Sequence, residues 1–148
     1  MQVLRVENKT IIEAIRDYFN RCPYLDEQAR LNIDFLGNDK IEYGIYTEPG
    51  ETFIKRYTDG EELKAYNFIF TTRTPMSGDF VVQLENSAFF ERLTDWIEER
   101  NRQRDYPKLS GKRKAQKLEI VSNGYVTSAD SDECVYQIGM KLIYLERM

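Results

Sequence analysis

Apolar positions recur at helical spacing in two stretches of the chain and alternate through most of the rest. Ile11, Ile12, Ala14, Ile15, Tyr18 and Phe19 fall on one face of a 3.6-residue repeat. Thr10 and Glu13 stand at the spacing of a capping box, in which each side chain satisfies the other's free backbone N–H. Pro23 disfavours helical geometry in the residue before it, so a first helix is predicted over 9–21. A second stripe, Phe89, Phe90, Leu93, Trp96 and Ile97, leaves Glu91, Asp95, Glu98 and Glu99 outside it. Asn86 is a favourable N-cap, and Arg100, Arg102 and Arg104 suit the negative end of the helix dipole. A second helix is therefore predicted over 87–103. Its aromatic stripe reads as core rather than as a ligand box.

Four strand candidates lie between the helices. Leu31, Ile33 and Phe35 alternate ahead of Gly37-Asn38-Asp39, and Ile41, Tyr43 and Ile45 alternate up to Glu48-Pro49-Gly50. A third run covers 52–57 and closes at Asp59-Gly60. The fourth covers 63–71, with Tyr66, Phe68 and Phe70 on one face and Ala65, Asn67 and Ile69 on the other. Short strands closed by turn residues predict an antiparallel meander. Residues 73–85 carry Pro75 and Gly78 ahead of Phe80-Val81-Val82 and read as a long loop with an apolar insert. Either Phe80 and Val82 tuck back onto the domain, or the insert docks on a neighbouring subunit through Met76, Phe80 and Val81. Two last strands are predicted over 118–126 and 134–145, joined by an acidic turn at 128–133.

The element order is α-ββββ-α-ββ. Helices separated by runs of strands predict an α+β domain, two helices packed on a mainly antiparallel sheet, with Ile15, Phe19, Phe90, Leu93 and Trp96 in the core. The 148 residues fit one domain, 1–148, without a linker, an internal repeat or a low-complexity tract. Ten tyrosines and eight phenylalanines suit half-buried strands or a wet interface, and their strand positions favour the first. Cys22 and Cys134 are two thiols far apart in sequence, which predicts a reduced, intracellular protein. The first residues have no secretory apolar region, and no apolar run approaches the roughly 20 residues that span a bilayer. A soluble protein made in the cytosol, with no membrane partner, is expected.

Candidate chemistry is sparse. There is no histidine, so the commonest general base and metal ligand is missing. No Gly-rich phosphate loop and no Gly-x-Ser-x-Gly elbow occur, and two cysteines alone do not make a zinc site. Asp130, Asp132 and Glu133 resemble fragments of a calcium loop but lack its full spacing, and read as a solvated turn. No catalytic, cofactor-binding or metal residue is assigned, and a non-enzymatic role is expected. The reading from another class is a small enzyme that uses Tyr, Lys, Asp or Glu at an unmarked site.

Charge is the uneven feature. The chain carries −4 in total, yet residues 100–117 carry +7 and the remainder −11. Arg104, Lys108, Lys112, Arg113 and Lys114 are the candidate partner-binding residues. Pro107 and Gly111 bracket them, which predicts an exposed, poorly ordered loop. The alternatives for its role are a solubilising loop, a docking surface for an acidic protein, or contact with a nucleic-acid backbone.

Several segments together resemble a family of small proteins from the head–tail region of tailed phages and prophages of Gram-positive bacteria, the minor capsid or tail-terminator (tail-completion) proteins. They are Ile54-Lys55-Arg56-Tyr57-Thr58-Asp59-Gly60, Asn86-Ser87-Ala88-Phe89-Phe90-Glu91, Trp96-Ile97-Glu98-Glu99-Arg100-Asn101-Arg102, and Ala115-Gln116-Lys117-Leu118-Glu119 leading into Ser122-Asn123-Gly124-Tyr125. Tyr136-Gln137-Ile138 and Leu142-Ile143-Tyr144 complete the set. The resemblance covers most of the chain and lies in the collinearity of the pieces. It implies a virion protein that assembles as a ring, commonly a hexamer, on the last ring of the tail tube. Its implied partners are itself, the tail-tube protein and a head connector or stopper, with non-specific contact to DNA in the channel as a further possibility. Another neck component, such as a head-closure protein, is the neighbouring expectation. The resemblance implies no cofactor and carries no catalytic residue.

Overall fold

The computed structural model describes residues 10–25, 31–33, 42–75, 79–122, 125–129 and 133–147. Helix α1 spans Ile11–Phe19. It starts with the predicted capping box: the Thr10 hydroxyl accepts from the Glu13 N–H at 3.3 Å, and the Glu13 carboxylate accepts from the Thr10 N–H at 3.0 Å. Strands β1 (Leu31–Ile33), β2 (Glu42–Thr47), β3 (Phe53–Arg56) and β4 (Glu62–Pro75) follow. Helix α2 spans Asp79–Arg102, and β5 (Arg113–Ile120), β6 (Tyr125–Ala129) and β7 (Glu133–Glu146) complete the order. The fold is α+β, two helices on a mainly antiparallel sheet, in the expected order. No described helix is long and apolar enough to cross a membrane.

Two 14-residue strands form the centre of the sheet. β4 and β7 pair antiparallel along their whole length, from Glu62 opposite Glu146 to Pro75 opposite Glu133. Each then carries two short strands on its outer edge. β2 lies along residues 68–73 of β4, and β3 along residues 62–64. β5 lies along residues 140–146 of β7, and β6 along residues 134–137. The chain thus repeats a plan of a helix, two short flanking strands and a long strand, with β1 added beside β2 in the first half, although no repeat is visible in the sequence.

Alternation decides which face is covered. Ile45, Phe68, Phe70, Ile138, Met140, Leu142 and Leu118 share the face toward the helices, and each is at most 1% exposed. Ile15, Tyr18 and Phe19 of α1 and Leu93 and Ile97 of α2 close over them in one core cluster. Aromatic rings dominate the contact. The Phe19 ring lies 5.2 Å from Phe70, and Tyr18 lies 5.0 Å from Trp96. Ile15, Phe19 and Leu93 are fully buried as expected. Phe90 and Trp96 are only half-buried, packed against the cluster rather than within it. Cys22 is a buried free thiol.

Several expectations are corrected. The first four strands do not form a meander: β1 runs parallel to β2, and β2 and β3 both pair with β4 rather than with each other. Turn residues mark where a strand stops, not which strand it pairs with, and a 14-residue β4 has room for two partners on one edge. Most of the loop expected over 73–85 is regular structure instead: β4 continues to Pro75 and α2 begins at Asp79. Asn86 is therefore inside α2, because an interior Asn costs a helix only about 0.6 kcal/mol against Ala, too little to set a boundary. The strand expected over 118–126 is two collinear pieces. At the break, Val121 donates to Gly139 O at 2.8 Å and the Gly139 N–H donates to the Ser122 hydroxyl at 3.1 Å. A Cβ on Gly139 would stand 2.7 Å from that oxygen, so a larger residue there would have to turn the Ser122 hydroxyl away and lose its bond to the Gly139 N–H. Phe35, Ile41, Met76, Asp130 and Asp132 lie outside the described residues.

Phe19→Ala should destabilise the protein by about 3–5 kcal/mol, the usual range for a buried ring. Trp96→Ala, half-buried, should cost less, about 2 kcal/mol. Urea unfolding measures both; equal losses would mean that Trp96 carries as much of the core as Phe19.

A candidate docking surface

The basic segment begins at the C-terminus of α2. The Asp105 N–H donates to Arg100 O at 2.8 Å, and the Arg104 N–H donates to Asn101 O at 3.1 Å. This is the 6→1 and 5→2 bond pair of a Schellman motif, whose left-handed position normally holds glycine. Here it holds Arg104, at φ 56°, the one non-glycine residue with positive φ among those described. A side chain in that region costs about 1–2 kcal/mol. Strain of this kind persists where the side chain itself is useful.

Asp105 then fastens the loop. Its carboxylate takes both Arg21 guanidinium nitrogens, each at 3.0 Å, and lies 3.6 Å from Arg100. The fork ties the loop to the end of α1, 84 residues away in sequence. Arg21 also lies over the Tyr18 ring at 5.2 Å, and Arg100 over Trp96 at 5.9 Å. The bond from Arg21 holds the Asp105 carboxyl below its ordinary range, with Arg100 and Lys108 adding to the pull. Burial pushes the Tyr18 phenol well above its ordinary value, and the Asp105 charge adds to that. Pro107 is buried, and Tyr106 and Leu109 pack on the core cluster.

The expectation of a poorly ordered loop is thus corrected. The sequence pattern around Pro107 and Gly111 excluded regular structure but not tertiary ties, and Asp105 supplies them. β5 also starts at Arg113, inside the predicted loop. Arg113 is half-buried and donates to Glu146 at 3.1 Å, on the carboxylate that takes Lys64 at 2.9 Å. Lys64 and then Arg113 lower the Glu146 carboxyl.

The eight cations of 100–117 fall into two sets. Arg100, Arg102, Arg113 and Lys117 each stand within 4.0 Å of a carboxylate. Arg104, Lys108, Lys112 and Lys114 are exposed and have no such partner among the described residues. Of the predicted partner-binding residues, four therefore form an exposed ridge and Arg113 is structural. A groove of about 300 Å³ runs along the ridge between residues 104–109 and 113–115. Tyr106, Pro107, Leu109 and Ala115 line it with Arg104, Lys108 and Lys114, alongside the paired Asp105 and Arg113. Phe80 and Val81, expected as ring contacts, belong to the first turn of α2.

Helix α2 also guards the edge of β5. The Asn101 amide donates to Leu118 O at 2.8 Å and accepts from the Leu118 N–H at 3.2 Å, standing in for a neighbouring strand. At the opposite edge, no such guard is present among the described residues. β3 is exposed at all four residues, and Phe53, Ile54 and Tyr57 on its hairpin are 47%, 46% and 38% exposed. Sequence reasoning placed a strand over 52–57 ahead of the turn at Asp59-Gly60 but did not mark it as an exposed apolar surface. The available signal was the adjacent pair Phe53-Ile54, which breaks the alternation of a strand with one covered face.

A comparison with protein-family models finds no match for this chain, and a comparison with curated protein sequences finds none either.

Arg104→Gly should raise stability by about 0.5–1 kcal/mol in urea unfolding, because glycine enters the left-handed region without a Cβ clash. A loss would mean that the Arg104 side chain holds the fold together.

Asp105→Asn should cost about 1 kcal/mol at pH 7, a modest figure because Arg21 is half exposed and solvent screens the pair. The Asp105 carboxyl binds a proton less readily folded than unfolded. Its stabilisation is therefore complete above the ordinary carboxylate pKa of about 4 and is lost as pH falls from there through the lowered folded value. Thermal melts between pH 7 and pH 2 should show the wild type losing its advantage over Asp105→Asn in that window.

Proposed function

We propose that this chain is a structural virion subunit of a tailed phage or prophage, a tail-terminator-like protein that closes as a ring on the tail tube and offers a surface to the head connector. The collinear resemblance of its segments to that family carries the proposal. The order α-ββββ-α-ββ, which the hydrophobic pattern predicts, is kept by the folded chain, with the first of the last two strands broken into β5 and β6.

Two features of the surface support an assembling part. Arg104, Lys108, Lys112 and Lys114, exposed and without a carboxylate partner among the described residues, fall within one short segment of an otherwise acidic chain, and the β3 edge is apolar and has no guard among the described residues. Patches of this kind mark contact with other proteins. In this reading the ring ends growth of the tube, and the ridge or the outer face of the ring receives the next component.

Deleting the gene from the genome that carries it should leave filled heads without tails and tail tubes of uncontrolled length, visible by negative-stain microscopy. Restoring the gene in trans should restore joined particles. Normal particles from the deletion strain would sink the proposal.

A further inference from the structure

Among the described residues five large apolar side chains are exposed, and three of them, Phe53, Ile54 and Tyr57, sit on one hairpin. That hairpin, residues 48–62, is also acidic. It holds Glu48, Glu51, Asp59, Glu61 and Glu62 against Lys55 and Arg56. Arg56 engages Glu62 at 2.7 Å and Arg147 engages Glu61 at 3.2 Å. Glu48, Glu51 and Asp59 have no cation partner among the described residues. The hairpin is therefore an apolar arm with free carboxylates.

At the opposite edge of the same end of the sheet lies its complement. Across this end the strands run β3, β4, β7, β5, since residues 62–64 of β4 pair with β3 on one side and with residues 144–146 of β7 on the other, and β5 adds beyond β7. Beside β5 is the groove lined by Tyr106, Pro107, Leu109 and Ala115 together with Arg104, Lys108, Lys114, Arg113 and Asp105, the last two engaged with Glu146 and with Arg21, so the cations left free there are Arg104, Lys108 and Lys114. Its volume of about 300 Å³ has room for an aromatic side chain. The Asn101 clasp keeps a foreign strand off the β5 backbone at Leu118, so this edge receives side chains rather than a strand.

We infer that the β3 arm of one copy docks in the basic groove of a second copy, head to tail. Phe53 and Ile54 meet the apolar part of its lining, and Glu48, Glu51 and Asp59 meet the free cations. The two patches differ, so the contact is heterologous and each copy retains one free arm and one free groove until the chain of copies closes. The inference rests on the reading of this protein as a ring-forming subunit, and names the surfaces that make the ring.

Two variants test it. Phe53→Ser with Ile54→Ser disables the arm, and Lys108→Glu with Lys114→Glu disables the groove. All four residues are solvent-exposed, so both variants should keep the wild-type unfolding midpoint. By native mass spectrometry and sedimentation over rising concentration, the wild type should assemble, and each variant alone should stay monomeric at tenfold higher concentration. An equimolar mixture should give 1:1 dimers that grow no further, because the two variants retain one good contact between them. Variants that assemble like the wild type would overturn this contact and leave the ring reading standing. A mixture without dimers, or a wild type monomeric throughout, would also overturn it, while the deletion phenotype decides the virion role independently.

Discussion

The structure depends on the pairing of β4 with β7. Fourteen consecutive register pairs, with the helix-facing and outward residues of one strand matched to those of the other, fix the sheet along its full length. Everything else is placed relative to that pair. A one-residue slip of β7 would turn Ile138, Met140 and Leu142 away from the helices together, so the buried face holds the register as firmly as the backbone bonds do. The length of the pair also explains the outer strands. Neither β2 nor β3 alone could cover β4, and neither β5 nor β6 alone could cover β7, so each edge takes two.

The second organising contact is electrostatic and local. Asp105 joins the end of α1 to the end of α2 through Arg21 and Arg100. In doing so it neutralises cations that would otherwise repel the ridge they flank. What is left, Arg104, Lys108, Lys112 and Lys114, is a set of charges held on a fixed frame rather than on a swinging loop. A fixed set of charges loses less freedom on meeting an acidic surface than a flexible one. The strained Arg104 fits this picture, since glycine would relieve the backbone and remove one of the four.

Much of the fold was legible in the sequence because local rules governed it. The capping box of α1, the alternation in 63–71 and 134–145, and the stripe from Phe89 to Ile97 each depend on neighbours within a few residues. What failed was decided at long range. Nothing near Leu31 says that β1 runs parallel to β2, and nothing near Phe53 says that β3 takes only three residues of β4. Asn86 satisfied the local preference for a helix start, but the helix continued through it. The basic segment was legible as a charge anomaly. Its division into structural and free cations was not, because Glu146 and Arg21 reach it from distant parts of the chain.

The repeated plan of helix, flanking short strands and long strand bears on how the chain is made. Lys64 and its partner Glu146 are 82 residues apart. At roughly 5–20 residues per second on the ribosome, β4 waits on the order of ten seconds for the strand that completes it. During that interval the first of the two units is already whole. Phe19, Tyr43 and Phe70 belong to it, and their rings meet one another at 5.2 and 5.7 Å. The nascent aromatic face thus has partners of its own before β7 emerges, and the second unit has a surface on which to fold.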